Sequence, residues 1–201
     1  NRPVREISTD ALPTETVRPV KALSSSDQTL GMAWLGDDAV KPAELAYRLG
    51  LFVDSYSAWI VSQRSEADRA RPEHHEIAAK IVDRMDRTLD RIRAGIDLLA
   101  TDKTILRAFR IANRAMQMQS VGPHNPEPAW RPFQLAFILM ALPSTVDAAH
   151  GDRGLVDLIW FPTGGGKTEA YLGLAAIVMC LRRLGHGSTG GGTAVITRYT
   201  L

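Results

Sequence analysis

One cysteine in 201 residues cannot build a disulfide framework. Cys180 sits in an apolar helical pattern, where a buried thiol in a reducing compartment is the expected reading. No apolar run approaches the roughly 18 residues that cross a bilayer. The opening NRPVREISTD has none of the charge, apolar core and small-residue cleavage site of a signal peptide. A soluble, cytoplasmic chain with no membrane partner is expected. The formal charge is only +2, so a nucleic-acid surface has to be a local patch. What the chain does have is 45% apolar and 23% charged residues, enough for a buried core and too ordered a mixture for wholesale disorder.

Residues 1–41 read as an extended, partly ordered arm rich in Pro, Thr and Ser, with a small apolar patch around Met32 and Trp34. Residues 42–120 read as a helical N-terminal domain. Pro42 suits a first helical turn. Leu45, Leu49, Phe52, Tyr56 and Ile60 then recur at three and four to about Arg64. Over 74–99, Ile77, Ile81, Met85, Leu89, Ile92, Ile96 and Leu99 form one stripe. Glu76–Lys80 and Asp83–Arg87 there are opposite charges four apart, worth about 0.3–0.5 kcal/mol each. Thr101 or Asp102 can cap a third helix carrying Ile105, Leu106, Phe109, Ile111 and Met116. His74 and His75 are adjacent and point about 100° apart on a helix, which argues against one shared metal ion. Arg84, Arg87, Arg91 and Arg93 alternate with acids and read as a solvated face. Arg107, Arg110 and Arg114 have no interleaved acids and are better placed for phosphate or interdomain contacts.

The loop 121–130 (VGPHNPEPAW) marks a boundary, and 131–142 reads as a helix stopped by Pro143. Residues 155–160 are apolar but for Asp157 and read as a strand. Pro162, Thr163 and three glycines follow, and 168–184 reads as a helix. Residues 194–196 begin a second strand. Strand, helix and strand predict a right-handed parallel unit. The chemistry follows from the order. Glycines let backbone N–H groups converge on a polyphosphate, and the helix start adds open donors and a positive dipole end. Lys167 then reaches the β- and γ-phosphates, and the Thr168 hydroxyl sits on Mg²⁺. A nucleoside triphosphate site with Mg²⁺ is expected.

The general phosphate-loop pattern asks for glycine six positions before the lysine, where this chain has Phe161. The run Pro162-Thr163-Gly164-Gly165-Gly166-Lys167-Thr168 instead resembles motif I of superfamily 2 helicases and translocases. Upstream, Arg131-Pro132-Phe133-Gln134 looks like the adenine-reading segment of several such groups. A glutamine amide both donates and accepts, suiting the adenine edge, and an arginine can stack on the base or pair with phosphate. The stretch 197–201 (TRYTL) lies where these motors place motif Ia, so Arg198 and Thr200 are candidates for DNA contact. The phrases AFRIANRAM, RPFQLAFILM, LIWFPTGGGKTEAYLGL and TAVITRYTL resemble the helicase subunit of the bacterial DISARM anti-phage system, over 108–201 most closely.

That resemblance implies an ATP-dependent DNA helicase or translocase working with a partner subunit and a methyltransferase component. Carried over by position, Thr163, Gly164, Gly165, Gly166, Lys167 and Thr168 bind the triphosphate and metal, with Glu169 next in the helix. Arg131 and Gln134 read the base. The expected fold class is α/β, with 121–201 the first part of a RecA-like P-loop parallel sheet lobe behind the helical domain. Hydrolysis also needs an acidic pair and a transition-state arginine. No Asp-Glu-x-His run follows the second strand, so these residues are expected to act as a fragment, binding nucleotide weakly without turnover. Another P-loop NTPase fits motif I less well and explains neither Gln134 nor TRYTL. A non-catalytic interaction module is the remaining alternative.

Overall fold

Helix formation starts where the apolar spacing starts. In a computed structural model, which describes residues 28–161 and 164–198, a four-residue helix α1 (Met32–Leu35) precedes α2 (Pro42–Asp68). Pro42 occupies the first position of α2, where its missing N–H costs nothing. The helix runs about one turn beyond its expected end. A 3₁₀ turn at Pro72–His74 leads into α3 (His75–Thr101). α4 (Lys103–Ser120) starts on Asp102, whose Oδ1 accepts from Thr104 N at 2.8 Å and Ile105 N at 2.9 Å. Asp102, and not Thr101, is therefore the cap. α5 (Pro132–Val146) and α6 (Lys167–His186) complete the framework.

α3 packs against α2 on one side and α5 on another; α5 meets α6, α6 meets α4, and α4 touches α3 again. These four helices enclose one core, with α2 laid outside α3 and α1 against α4. Leu89, Ile92, Ile96 and Leu99 meet Phe109, Leu135, Ile138, Leu139 and Ile177 in a single buried cluster. The stripe of α3 is buried through its second half, but Ile77 and Ile81 are exposed. They lie toward the turn that joins α2 to α3, where Arg64 pairs with Asp86 and a two-helix hairpin leaves its outer faces to water. Lys80 and Glu76 pair at 2.5 Å as expected. His75 Nε2 lies 2.5 Å from the Ala70 carbonyl and His74 Nε2 3.0 Å from Arg71 Nη2. Both histidines thus serve the turn. Among the described residues no group of three or more potential ligands could hold a metal ion, and no helix is long and apolar enough to cross a membrane.

Pro143 does not stop α5; it lies inside the helix. It has no N–H to give the Leu139 carbonyl, and α3 approaches α5 tightly at that same carbonyl. A Cβ on Gly95 would lie 2.0 Å from Leu139 O. The crossing requires glycine.

The fold-class expectation is overturned. In place of a RecA-like α/β lobe with a parallel sheet, the described residues form an all-helical domain. They contain no strand, only isolated bridges pairing Gly31 with Ala129 and Gly122 with Asn125. The segments 155–160 and 194–196 run without regular structure. Val156 (94% exposed), Leu158 (83%) and Ile196 (87%) lie in water. An apolar, β-branched run is only a strand once neighbouring main chains satisfy its N–H and C=O groups and something covers its faces. Here the helices cover one another: α6 packs on α4 and α5 rather than over a sheet.

Gly95→Ala is expected to cost about 1–3 kcal/mol through overpacking against α5. Gly50→Ala, on α2 with nothing within 4 Å of the new methyl group, is expected to add about 0.5–1 kcal/mol. Urea unfolding of the two variants side by side checks both signs.

Candidate glycine-loop site

The chain enters α5 along a fixed path. Met32 N donates to Pro128 O at 3.0 Å and Trp130 N to Leu30 O at 2.8 Å, which ties the incoming loop to the segment before α1. The Trp130 indole N–H donates to Asn113 Oδ1 at 2.7 Å, and Asn113 returns a 2.9 Å bond to Phe109 O inside α4. The Trp130 ring rests on α6 at Gly173, where a Cβ would fall 2.6 Å from the ring carbon Cη2. Arg131, the next residue, is extended, and Pro132 opens the helix.

Gln134, three residues into this start, is 4% exposed. Its Oε1 accepts from Arg131 N at 2.7 Å, and its Nε2 donates to Gly166 O at 2.7 Å. Arg131 Nη1 donates to Gly165 O, also at 2.7 Å. The two upstream candidates therefore meet the glycine loop itself. In a trans peptide the N–H points opposite to its C=O, so these bonds turn the N–H groups of Gly166 and Lys167 away from the Arg131 and Gln134 side chains.

Gly164 (φ +77°) and Gly166 (φ +89°) adopt the left-handed conformation that favours glycine. A Cβ at Gly166 would lie 2.6 Å from Gln134 Nε2 and 3.3 Å from Glu169 Oε2, whereas Gly164 faces open space. Lys167 begins α6, and its Nζ donates to Phe161 O at 2.5 Å. The Phe161 ring stacks on Phe133 with centroids 4.3 Å apart and planes 15° from parallel. This explains the aromatic residue at a position where the general pattern has glycine. Thr168 and Glu169 are exposed on the first turn, where a carboxylate complements the helix dipole. Thr163 and Thr200 lie outside the described residues.

Arg198 is placed elsewhere. It is exposed and lines a groove with Arg153, Tyr171, Leu174, Val178 and Ile196, on another part of α6. Of the three arginines put forward for phosphate or interdomain contacts, Arg107 is exposed, and Arg110 and Arg114 are engaged with protein. Arg110 donates to the Val40 carbonyl and Arg114 to Gly36 O at 2.6 Å and Asp38 Oδ2 at 3.0 Å, clamping the turn before α2. Conversely, Arg91, read from sequence as solvated, is largely buried. It grips Asp157 with both terminal nitrogens at 2.7 and 2.8 Å and approaches Asp152 at 3.1 Å. The hydrogen bond to Asp157, ahead of the partly opposing desolvation, raises the Arg91 pKa above its ordinary value. The signal for it was Asp157, a lone charge in an apolar run. Cys180 is half-buried on α6, and burial pushes its thiol pKa up.

A helix N-terminus, two left-handed glycines, a lysine at the first helical position and a guanidinium bonded to the loop favour an anion. The residues fit a triphosphate provided Lys167 exchanges the Phe161 carbonyl for phosphate oxygen.

No family model matches the chain. Over 178 aligned residues it is 36% identical to the DISARM protein DrmA of Bacillus paralicheniformis, covering 77% of this chain and 15% of that protein. The two are related, and this chain spans about 15% of the length of its relative.

Gln134→Ala removes two bonds from a buried site and is expected to cost about 2 kcal/mol. Gln134→Glu keeps the acceptor for Arg131 N but sets a carboxylate against the Gly166 carbonyl, and is expected to cost more. Denaturant titration followed by circular dichroism orders the two.

Proposed function

We propose that this chain carries the nucleotide-binding segment of an ATP-dependent DNA helicase or translocase subunit in an anti-phage defence complex. The relation to DrmA supports the defence setting. The observation that carries the nucleotide reading is the meeting of Arg131 and Gln134 with the carbonyls of Gly165 and Gly166. Two motifs more than thirty residues apart in sequence act on one loop, and both are the residue types that ATP recognition requires.

In this reading the N–H groups at Gly164–Gly166 and the start of α6 hold the phosphates, with Thr163 contributing from the loop. Lys167 leaves Phe161 O to neutralise the terminal phosphates. Thr168 holds Mg²⁺, which when bound screens phosphate charge. Glu169 stands next to Gly166 and can steer water or metal. Gln134 has its amide engaged on both sides, so reading the adenine edge asks it to exchange Gly166 O for the base. Arg131, already at the loop, can follow the nucleotide by the same exchange. Arg198, in a groove apart from the loop, and Thr200 are assigned to DNA. A partner subunit and a methyltransferase component are the proposed assembly.

Lys167→Ala tests the reading. With a fluorescent ATP analogue and Mg²⁺, the variant is expected to bind about 10- to 100-fold more weakly, the value of a lost charge-assisted phosphate contact. Its thermal unfolding should stay near that of the parent protein. Unchanged affinity in a folded variant contradicts the assignment.

A further inference from the structure

The segment 155–161 precedes the glycine loop without regular structure, with Val156, Leu158 and Trp160 facing solvent. Two anchors fix its course. At one end Arg91 grips the Asp157 carboxylate with two parallel bonds of 2.7 and 2.8 Å. At the other, Phe161 stacks on Phe133 of α5. The same guanidinium reaches Asp152 at 3.1 Å in the preceding 3₁₀ turn (Gly151–Gly154), so one side chain holds both limbs of the approach. That turn is closed by His150 Nδ1, which accepts from Asp152 N at 3.1 Å.

We infer that Arg91 is a positioning residue for the glycine loop: by clamping Asp157 and Asp152 to α3, it sets where Phe161 presents its carbonyl to Lys167. Asp157 stands four residues before Phe161, a span too short to lose its placement between two anchors. The bonds of Arg91 go to Asp157 and Asp152 in the approach segment. Its effect passes through the segment. Exposed ion pairs contribute little, but this one is two-pronged, largely shielded from water and links residues 66 apart in sequence. A rigid fork suits such a clamp, and a lysine supplies only a point charge. The helical framework thereby acquires a direct mechanical connection to the loop.

Limited proteolysis of the nucleotide-free protein tests the inference, comparing Arg91→Ala, Arg91→Lys and Asp157→Asn with the parent. Arg91→Ala and Asp157→Asn are expected to speed both chymotryptic cleavage after Trp160 or Phe161 and tryptic cleavage after Lys167 by about tenfold, while sites within α4 stay protected. Arg91→Lys should fall between. Faster cleavage at Trp160 and Phe161 with Lys167 unchanged overturns the inference, as does uniformly faster cleavage through all helices. A second arm, which rests on the proposed nucleotide reading, measures Mg-ATP affinity with the fluorescent analogue and expects Arg91→Ala to bind several-fold more weakly. If the parent protein binds no nucleotide, that reading fails while the proteolysis arm still decides the role of Arg91.

Discussion

A single buried carboxamide joins the start of one helix to the start of another. Gln134 accepts from the backbone that opens α5 and donates to the carbonyl that immediately precedes α6. Because it is shielded from water, leaving either end unmatched would cost the desolvation of a buried polar group. The pairing therefore fixes the register between the two helix starts. It also explains why Gly166 must be glycine, since a Cβ there would occupy the space of the amide nitrogen. Arg131 adds a second bond one residue earlier in the loop, so the loop is gripped at two successive peptides.

The helical framework exists, from the standpoint of this junction, to bring α5 and α6 to one height. α5 is pressed into α3 at the Gly95–Leu139 crossing, where Pro143 withholds the N–H that would otherwise reach the Leu139 carbonyl. α6 is set against α5 and α4, with Trp130 wedged over Gly173 and tied by its indole to Asn113 of α4. Arg91 extends the same support to the approach segment. Each contact places a small residue or a polar group where the neighbouring helix needs it, so the loop inherits its geometry from packing far outside the glycines.

Much of this was legible in the residues. The helical periods of α2 to α5, a cap at Thr101 or Asp102 and the glycine turn follow from local pattern, because spacing and capping are local properties; RPFQ was linked to GGGKT by resemblance alone. The parallel sheet was not. The runs 155–160 and 194–196 have the composition of strands, yet a strand needs a partner main chain, and composition does not supply one. One charged residue was misread for a related reason. Arg91 is identical in type to its exposed neighbours, and only the fold shows that Asp157 lies opposite it. Pro143 was taken as a stop because the rule against interior proline is local, whereas the carbonyl it leaves open lies at a tertiary crossing.

In the proposed function, residues 131–134 and 164–169 form one nucleotide-responsive unit. Hydrogen exchange of the parent protein with and without Mg-ATP tests this most directly. Added protection is expected in both stretches together at the same nucleotide concentration, with α2 unchanged. Protection of one stretch without the other, or none in either at saturating nucleotide, contradicts it.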